Sequence, residues 1–261
     1  MNEVNRTLYI PLYGKAAVSR RGIILHDPKA EKIWDEEGFP VKGKSRSRWL
    51  ALNMAMRARI FDDWTASMLI EHSDALVVCV GCGLDSRCER VRAPYSHWVD
   101  CDFPDVLSLR SKYYEVSDHY CMMPLDASDP EQVGHLPAAD TAIVVLEGIS
   151  MYLTHVQMNG FLGALSERYA HLHILMDVYT EFGAKASRFK NPVNDVGVTT
   201  LYGTDDIGKL LSGLPVRLKA EHSLTPPELV DELRTGEKTM FRLLFTGPVY
   251  RKIYRLYELE K

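Results

Sequence analysis

The sequence predicts an α/β protein in which helices cover both faces of a mainly parallel sheet. Five short apolar runs recur from residue 75 onward, and segments of helical character separate them. This alternation is typical of strand–helix–strand units, whose right-handed crossovers bring the loops after the strands to one edge of the sheet. A long stretch of helical character precedes the first strand and predicts a helical N-terminal extension.

The individual elements follow from periodicity and capping signals. We predict strands at 75–80, 97–102, 119–123, 141–146, 171–178, 216–224 and, less regularly patterned, 250–259. Helices are predicted at 86–91, 104–114, 130–135 and 154–170. Thr154 with Gln157 forms a capping box, and Asp27 before Pro28 reads as the N-cap of an earlier helix. Apolar residues from 47 to 73 recur at helical spacing and predict a further helix that runs into the first strand.

No linker divides the chain, so we expect residues 1–261 to form a single domain. Its predicted parts are a helical N-terminal extension or lid at 1–73 and a Rossmann-like core at 74–261. Gly, Asn and Pro recur within residues 180–203, which predicts a cover segment over the ligand site.

Composition narrows the class of protein. The net charge of −4 and the isoelectric point near 6.1 argue against a nucleic-acid partner. No apolar run reaches the ~18 residues that cross a bilayer, and no signal peptide is evident, so we expect a cytoplasmic protein without a membrane partner. The sequence leaves the oligomeric state open.

The five cysteines do not predict a metal or redox centre. Cys79 and Cys82 match C-x-x-C, but a zinc site needs further ligands and no second pair is present. Cys79 falls inside a buried strand, where a thiol behaves as a small apolar group. We therefore expect reduced thiols and no metal.

A glycine turn and a distant carboxylate predict a nucleotide-type pocket. The first strand ends in Gly81 and Gly83, which let the backbone approach a ligand closely. The second strand ends at Asp102, 19 residues after Gly83, where a carboxylate can accept hydrogen bonds from a ribose diol. The alternative role for Asp102 is to cap the next helix.

The same segment favours S-adenosylmethionine over NAD. A dinucleotide fingerprint has a small residue where Ser86 stands, and Asp85 would repel a pyrophosphate at the helix start. S-adenosylmethionine has no phosphate and carries a positive sulfonium, so a neighbouring carboxylate does not oppose it.

Two more predicted strands end in acidic residues. Asp126 follows the third strand and Glu147 the fourth, so these carboxylates and Asp102 share one edge of the sheet with the glycines. Asp126 also suits a simple turn, whereas a carboxylate at the end of a buried strand, such as Glu147, needs a partner.

Six segments occur in order and carry a wider resemblance. They lie at 9–16, 26–28, 57–64, 80–87, 102–106 and 147–153, and include Val80-Gly81-Cys82-Gly83-Leu84-Asp85 and Glu147-Gly148-Ile149-Ser150-Met151-Tyr152-Leu153. Together they resemble the leucine carboxyl methyltransferase family, from about residue 8 to the C-terminus and most strongly over 8–153. Members of that family include protein-phosphatase carboxyl methyltransferases and bacterial O-methyltransferases linked to polyketides.

The resemblance implies a class I methyltransferase fold with S-adenosylmethionine as methyl donor and S-adenosylhomocysteine as product. It also implies cofactor contacts at Lys15 and Arg59 (the methionine carboxylate), Gly81 (the methionine part), Asp102 (the ribose), Asp126 and Ala127 (the adenine side) and Glu147 (the amino-acid portion). Without the resemblance, Arg59 would be a solvated helix residue and Lys15 a mobile cation. The C-terminal half carries none of the family motifs that we recognise, so the acceptor stays open.

These observations lead to the hypothesis of an S-adenosylmethionine-dependent O-methyltransferase acting on a small-molecule carboxylate or hydroxyl, such as a polyketide-like acceptor. No histidine stands beside a recognisable partner motif, and a carboxylate acceptor, unlike a phenol, needs no base. No catalytic residue is assigned, since Tyr152 suits core packing as well as substrate orientation. The alternatives are carboxyl methylation of a protein C-terminus and a cofactor-binding protein without turnover.

Overall fold

The computed structural model describes residues 5–39, 43–190 and 202–261. Within these residues, seven strands form one sheet in the order β3-β2-β1-β4-β5-β7-β6. Their bounds are Leu76–Val80 (β1), His97–Asp102 (β2), Tyr120–Pro124 (β3), Thr141–Leu146 (β4), His171–Tyr179 (β5), Arg217–His222 (β6) and Tyr254–Glu260 (β7). Every strand lies within three residues of its predicted start, apart from β7, whose predicted range began at the preceding helix.

The first five strands are parallel and the last two are not. β1 pairs with β2 and β4, β2 with β3, and β4 with β5, all in parallel register. β7 inserts antiparallel between β5 and β6. The start of β7 therefore lies at the same edge as the carboxyl ends of β1 to β5, which is the edge where α/β proteins bind ligands.

The helices connect and flank these strands. They are Tyr9–Ser19 (α1), Pro28–Glu37 (α2), Arg48–Glu71 (α3), Arg87–Arg90 (α4), Pro104–Arg110 (α5), His155–Arg168 (α6), Glu181–Lys190 (α7), Ile207–Leu210 (α8), Pro227–Asp231 (α9), Thr235–Phe245 (α10) and Pro248–Arg251 (α11). Short 3-10 turns lie at Asn5–Leu8, Gly43–Arg46, Pro130–His135 and Ser150–Tyr152. None of the described helices combines the length and the apolar character needed to cross a membrane.

Alternate residues of the buried strands pack into two different cores. Val77 and Cys79 of β1 face a core to which α1, α2 and α3 contribute. Leu76, Val78 and Val80 face the other core, against which α6 packs. Because both faces are covered, β1 and β4 are apolar along nearly their whole length, as parallel strands usually are.

Local signals determine where several helices begin. The Asp27 carboxylate accepts a hydrogen bond from the Ala30 N–H (2.8 Å) and caps α2, as predicted. Thr154 and Gln157 form the predicted capping box of α6. The predicted helices at 86–91 and 104–114 are shorter in the structure, where they end at Arg90 and Arg110. The described part of the predicted cover segment consists of Thr180, α7, Tyr202 and Gly203, and residues 191–201 lie outside the described residues.

Candidate active site

A cavity of about 920 Å³ opens at the carboxyl edge of the parallel strands. The structure brings most of the predicted site residues to its wall, namely Lys15, Gly81, Gly83, Asp102, Asp126, Ala127 and Glu147. Arg59 is the exception. The volume is at the upper end of the range for small-molecule sites, so it leaves room for two ligands side by side.

The glycine turn after β1 is held against the end of β2. The N–H groups of Gly81 and Cys82 both donate to the Cys101 carbonyl, at 2.8 and 3.0 Å. Gly81 has a φ of +69°, and a Cβ added to it would lie 2.1 Å from Cγ2 of Ile149. Only glycine therefore satisfies both the backbone conformation and the space at this point of the wall.

Asp102 supports the turn from the neighbouring strand. Its two carboxylate oxygens accept hydrogen bonds from the N–H groups of Gly83 (2.7 Å) and Phe103 (2.8 Å). The helix that follows has Phe103 as its N-cap residue and no side-chain cap, so Asp102 does not act as the helix cap. Burial raises the pKa of Asp102 above its ordinary value, although these backbone bonds favour the charged form.

Asp126 makes a turn contact and also lies at the cavity wall. Its carboxylate accepts a hydrogen bond from the Ser128 N–H (2.8 Å), which is a turn contact, and its own N–H donates to Gln132 (2.9 Å). Both Asp126 and Ala127 also line the cavity. The turn thus fixes a loop at the β3 side of the wall.

Glu147, at the end of β4, is held between two arginines. Nε of Arg57 lies 2.9 Å from Oε1 of Glu147, and Arg87 donates to its other oxygen. Burial alone would raise the pKa of Glu147, but the two guanidinium groups keep it below its ordinary value. This buried carboxylate therefore stays ionised. The two arginines are the partners that a carboxylate at the end of a buried strand requires.

Arg57 lines the cavity, although the sequence interpretation did not single it out. Its Nη1 donates to the Asp177 carboxylate (2.9 Å) and to the Tyr254 hydroxyl (2.8 Å), and the Gly148 N–H donates to the other Asp177 oxygen (2.7 Å). Burial raises the pKa of Asp177, which carries no exposed surface. Within the described residues, Nη2 of Arg57 makes no hydrogen bond, and Arg57 lines the cavity.

Arg59 does not reach the cavity. It pairs with Asp63 one turn further along α3 (2.8 Å), donates to the Ile24 carbonyl (2.9 Å), and leaves 40% of its side chain exposed. The position of Arg59 therefore does not support its predicted contact with the methionine carboxylate, whereas Arg57 lines the cavity. Successive residues of an α-helix differ by about 100° around its axis, so two arginines two positions apart face different directions.

Lys15 and Asp85 form an ion pair at the other side of the glycine turn. Asp85 also accepts from Arg90 (2.9 Å) and from the Arg87 N–H (2.7 Å). Although burial opposes ionisation, Arg90, Lys15 and Arg87 hold the pKa of Asp85 well below its ordinary value. The charge of the Asp85 carboxylate is thus balanced by neighbouring cations. This weakens the sequence argument that Asp85 would repel a pyrophosphate.

These contacts belong to one buried ion-pair network. Its members are Lys15, Asp27, Arg57, Asp62, Asp85, Arg87, Arg90, Glu147 and Asp177. Arg90 connects Asp62 and Asp27, both at 2.7 Å, and Arg87 connects Asp62 (2.8 Å) to Glu147. The network ties the N-terminal helices to the cavity wall.

The remaining wall is uncharged, and part of it is aromatic. Trp49, Asn53, Tyr152, Tyr179, Phe245, Tyr250 and Tyr254 line it together with Gly183, Ala186 and Ser187 of α7. Burial raises the pKa of Tyr152 to about 12 and also raises the pKa of Tyr250 and Tyr254, so these hydroxyls stay protonated at neutral pH. None of the described residues that line the cavity is a histidine.

A curated protein resembles this chain over nearly its whole length. The chain is 27% identical over 259 residues to the tetracenomycin polyketide synthesis O-methyltransferase TcmP of Streptomyces glaucescens, with 97% of this chain and 95% of that protein covered.

Solved structures share the fold at low identity. The SAM-dependent methyltransferase of Anabaena variabilis ATCC 29413 has a TM-score of 0.52 at 11% identity, covering 90% of this chain and 93% of its own. Magnesium protoporphyrin IX methyltransferase of Synechocystis PCC 6803, solved with bound SAH, has a TM-score of 0.51 at 12% identity, covering 88% and 94%. The chain has the class I methyltransferase fold that the sequence resemblance implied.

The family model described as leucine carboxyl methyltransferase matches residues 11–166. This segment contains α2 to α5, β1 to β4 and most of α1 and α6, and therefore the glycine turn, Asp102 and Glu147. It accounts for more than half of the 261 residues. The chain belongs to the leucine carboxyl methyltransferase family.

Proposed function

We propose that this chain is an S-adenosylmethionine-dependent O-methyltransferase whose acceptor is a small molecule with a carboxylate or a hydroxyl. The observation that carries the proposal is the juxtaposition, in one cavity, of a glycine turn with paired carboxylates and cations at one end and an uncharged aromatic wall at the other. The family match and the relative in polyketide synthesis support the same class of enzyme.

The described residues fit the cofactor. A side chain at Gly81 would collide with Ile149, so the cavity wall at this residue is bare backbone. Asp102 has carboxylate lone pairs beyond those used by Gly83 and Phe103, which suits a ribose diol. Lys15 and Nη2 of Arg57, which has no hydrogen-bond partner among the described residues, would bind the methionine carboxylate, and Glu147 would hold Arg57 in place.

Asp126 and Ala127 complete the proposed cofactor site on the β3 side of the wall. They follow the strand next to β2, and a ribose held by Asp102 would place the adenine toward them. The turn contact between Asp126 and Ser128 keeps this loop in position before a ligand arrives.

When bound, S-adenosylmethionine supplies a methyl group that its sulfonium has already activated. The contribution of the protein is then to orient the acceptor and to exclude water. The buried tyrosines stay protonated and the described wall has no histidine, so none of these groups is a base at neutral pH. A carboxylate acceptor, which is ionised without help, suits this wall better than a phenol.

Methyl transfer from labelled S-adenosylmethionine tests the proposal. The purified chain should label an acid-containing metabolite extract, and the product class follows from mild alkali: a methyl ester releases labelled methanol, whereas an aryl methyl ether keeps its label. Binding of S-adenosylhomocysteine without any labelled product would contradict an enzymatic role. Labelling of protein C-termini in place of small molecules would contradict the proposed acceptor class.

A further inference from the structure

The cavity has two ends that follow the strand order of the sheet. The residues after β3, β2 and β1 form the cofactor end, whereas Tyr179 at the end of β5 and Tyr254 at the start of β7 lie beyond β4 on the other side. Strands are spaced by about 4.8 Å, so the two ends are separated by several strand widths. We call the part beyond β4 the acceptor end.

Aromatic rings from five elements line the acceptor end. The rings of Trp49 and Phe245 lie 6.1 Å apart at 29°, and the ring of Tyr250 meets Phe245 edge-on at 6.1 Å. The rings of Tyr179 and Tyr254 lie 4.7 Å apart. Aromatic side chains arranged in this way offer faces and edges that favour another flat ring over a flexible chain.

One polar pair interrupts this aromatic wall. The Tyr250 hydroxyl donates to Oδ1 of Asn53 (2.9 Å), and Nδ2 of Asn53 donates to the Trp49 carbonyl (2.8 Å). Among the described residues, the second N–H of Asn53 and the lone pairs of the Tyr250 oxygen have no other partner. A donor and an acceptor therefore stand side by side among these aromatic rings.

We propose that the acceptor end binds a planar aromatic molecule and that Asn53 and Tyr250 together recognise a hydroxyl or carbonyl substituent on its rings. This inference rests on the proposed function, since it specifies the acceptor of the same reaction. Tyr254 has a different role, because its hydroxyl is already bonded to Arg57 and Asp177. The Asn53–Tyr250 pair is the specificity-determining element.

Calorimetric binding to the protein saturated with S-adenosylhomocysteine tests the inference without requiring turnover. The probes are naphthoic acid, hydroxynaphthoic acid and decalincarboxylic acid, which share a carbon skeleton but differ in planarity and in the ring hydroxyl. We expect the two naphthoic acids to bind at least tenfold more tightly than the saturated acid. Hydroxynaphthoic acid should bind about two- to tenfold more tightly than naphthoic acid, as one added hydrogen bond predicts.

Variants assign the effect to the pair. Tyr250→Phe should abolish the advantage of hydroxynaphthoic acid and leave the affinity for naphthoic acid unchanged. Tyr113→Phe is the matched control, because it removes a hydroxyl that donates to Glu37 (2.9 Å) outside the cavity wall. If Tyr250→Phe fails to fold, Asn53→Leu in the same assay replaces it.

The outcomes separate the inference from the proposed function. Equal affinity for the planar and the saturated acids would overturn the inference, as would an unchanged hydroxyl preference in Tyr250→Phe. Tight binding of the aromatic acids with no transfer from labelled S-adenosylmethionine would sustain the inference about the cavity and contradict the proposed enzymatic function.

Discussion

At the scale of single residues, the site depends on which side of α3 faces the cavity. Trp49, Leu50, Asn53, Met54 and Arg57 line the cavity and repeat at the spacing of one helical face. Arg59 lies off this stripe. The helical spacing that distinguishes Arg57 from Arg59 was therefore present in the sequence. It could be interpreted only once Trp49 and Asn53 were known to face a cavity.

Exchanging Arg57 and Arg59 separately for lysine tests which of the two binds the cofactor. Arg57→Lys keeps the positive charge near Asp177 and Glu147 but removes the planar fork, so S-adenosylhomocysteine should bind roughly ten- to a hundredfold more weakly in calorimetry. Arg59→Lys, on the same helix, should bind it as the wild type does. An equal loss of affinity in the two variants would indicate that Arg59 also takes part in cofactor binding.

Gly81 combines a positive φ with a close contact, and a matched glycine separates the two effects. Gly22 has a φ of +64° but nothing near its Cβ position, so Gly22→Ala should lose about 1–2 kcal/mol of unfolding free energy from backbone strain alone. Gly81→Ala should lose about 1–3 kcal/mol more in urea unfolding, because of the overlap with Ile149. The extra loss should shrink in an Ile149→Ala background, and a purely additive double variant would contradict the contact.

Asp102 predicts how cofactor affinity depends on pH. Burial raises the pKa of Asp102, so on acidification the carboxylate takes up its proton at a pH above the ordinary aspartate pKa of about 3.9. The folded state binds this proton more tightly than the unfolded state, so this group does not destabilise the fold there. As the pH is lowered, the affinity for S-adenosylhomocysteine should therefore decrease before the free energy of unfolding does. The Asp102→Asn variant should bind S-adenosylhomocysteine weakly, and its affinity should depend less on pH. An unchanged pH dependence would contradict the contact between Asp102 and the ribose.

At the scale of elements, the sequence predicted most of the sheet and less of what surrounds it. β1, β2 and β4 are short apolar runs bounded by turns, and the predicted ranges match the structure closely because burial on both faces leaves a strong pattern. The length of α5 was overestimated, since the sequence does not mark its end at Arg110. The insertion of β7 beside β5 depends on long-range pairing that no local pattern encodes.

The packing of α7 should control the acceptor end. A Cβ at Gly183 would lie 2.1 Å from the Ile253 carbonyl, so Gly183→Ala should displace the start of α7 and weaken the binding of aromatic acids. The affinity for S-adenosylhomocysteine should not change. Gly236→Ala, in α10 with open space at its Cβ, should instead gain up to about 1 kcal/mol of stability. Loss of cofactor affinity in Gly183→Ala would contradict the separation of the two ends.

At the scale of the whole molecule, the ion-pair network joins parts of the chain that are far apart in sequence. Arg57 and Asp177 are 120 residues apart, and Arg87 and Glu147 are 60 apart. Family and fold were predicted from ordered motifs and are confirmed, but such pairings arise only in three dimensions. Buried ion pairs add little net stability, whereas removing one partner typically costs about 3–5 kcal/mol, so the network defines the geometry of the wall.

The most direct measurement is calorimetric titration of the wild-type chain and Asp102→Asn with S-adenosylhomocysteine and, separately, with NAD. Our account predicts one saturable site for S-adenosylhomocysteine, a marked loss of affinity in Asp102→Asn, and no heat of binding with NAD. Saturable NAD binding by a chain that ignores S-adenosylhomocysteine would contradict the assignment of this cavity to a sulfonium cofactor.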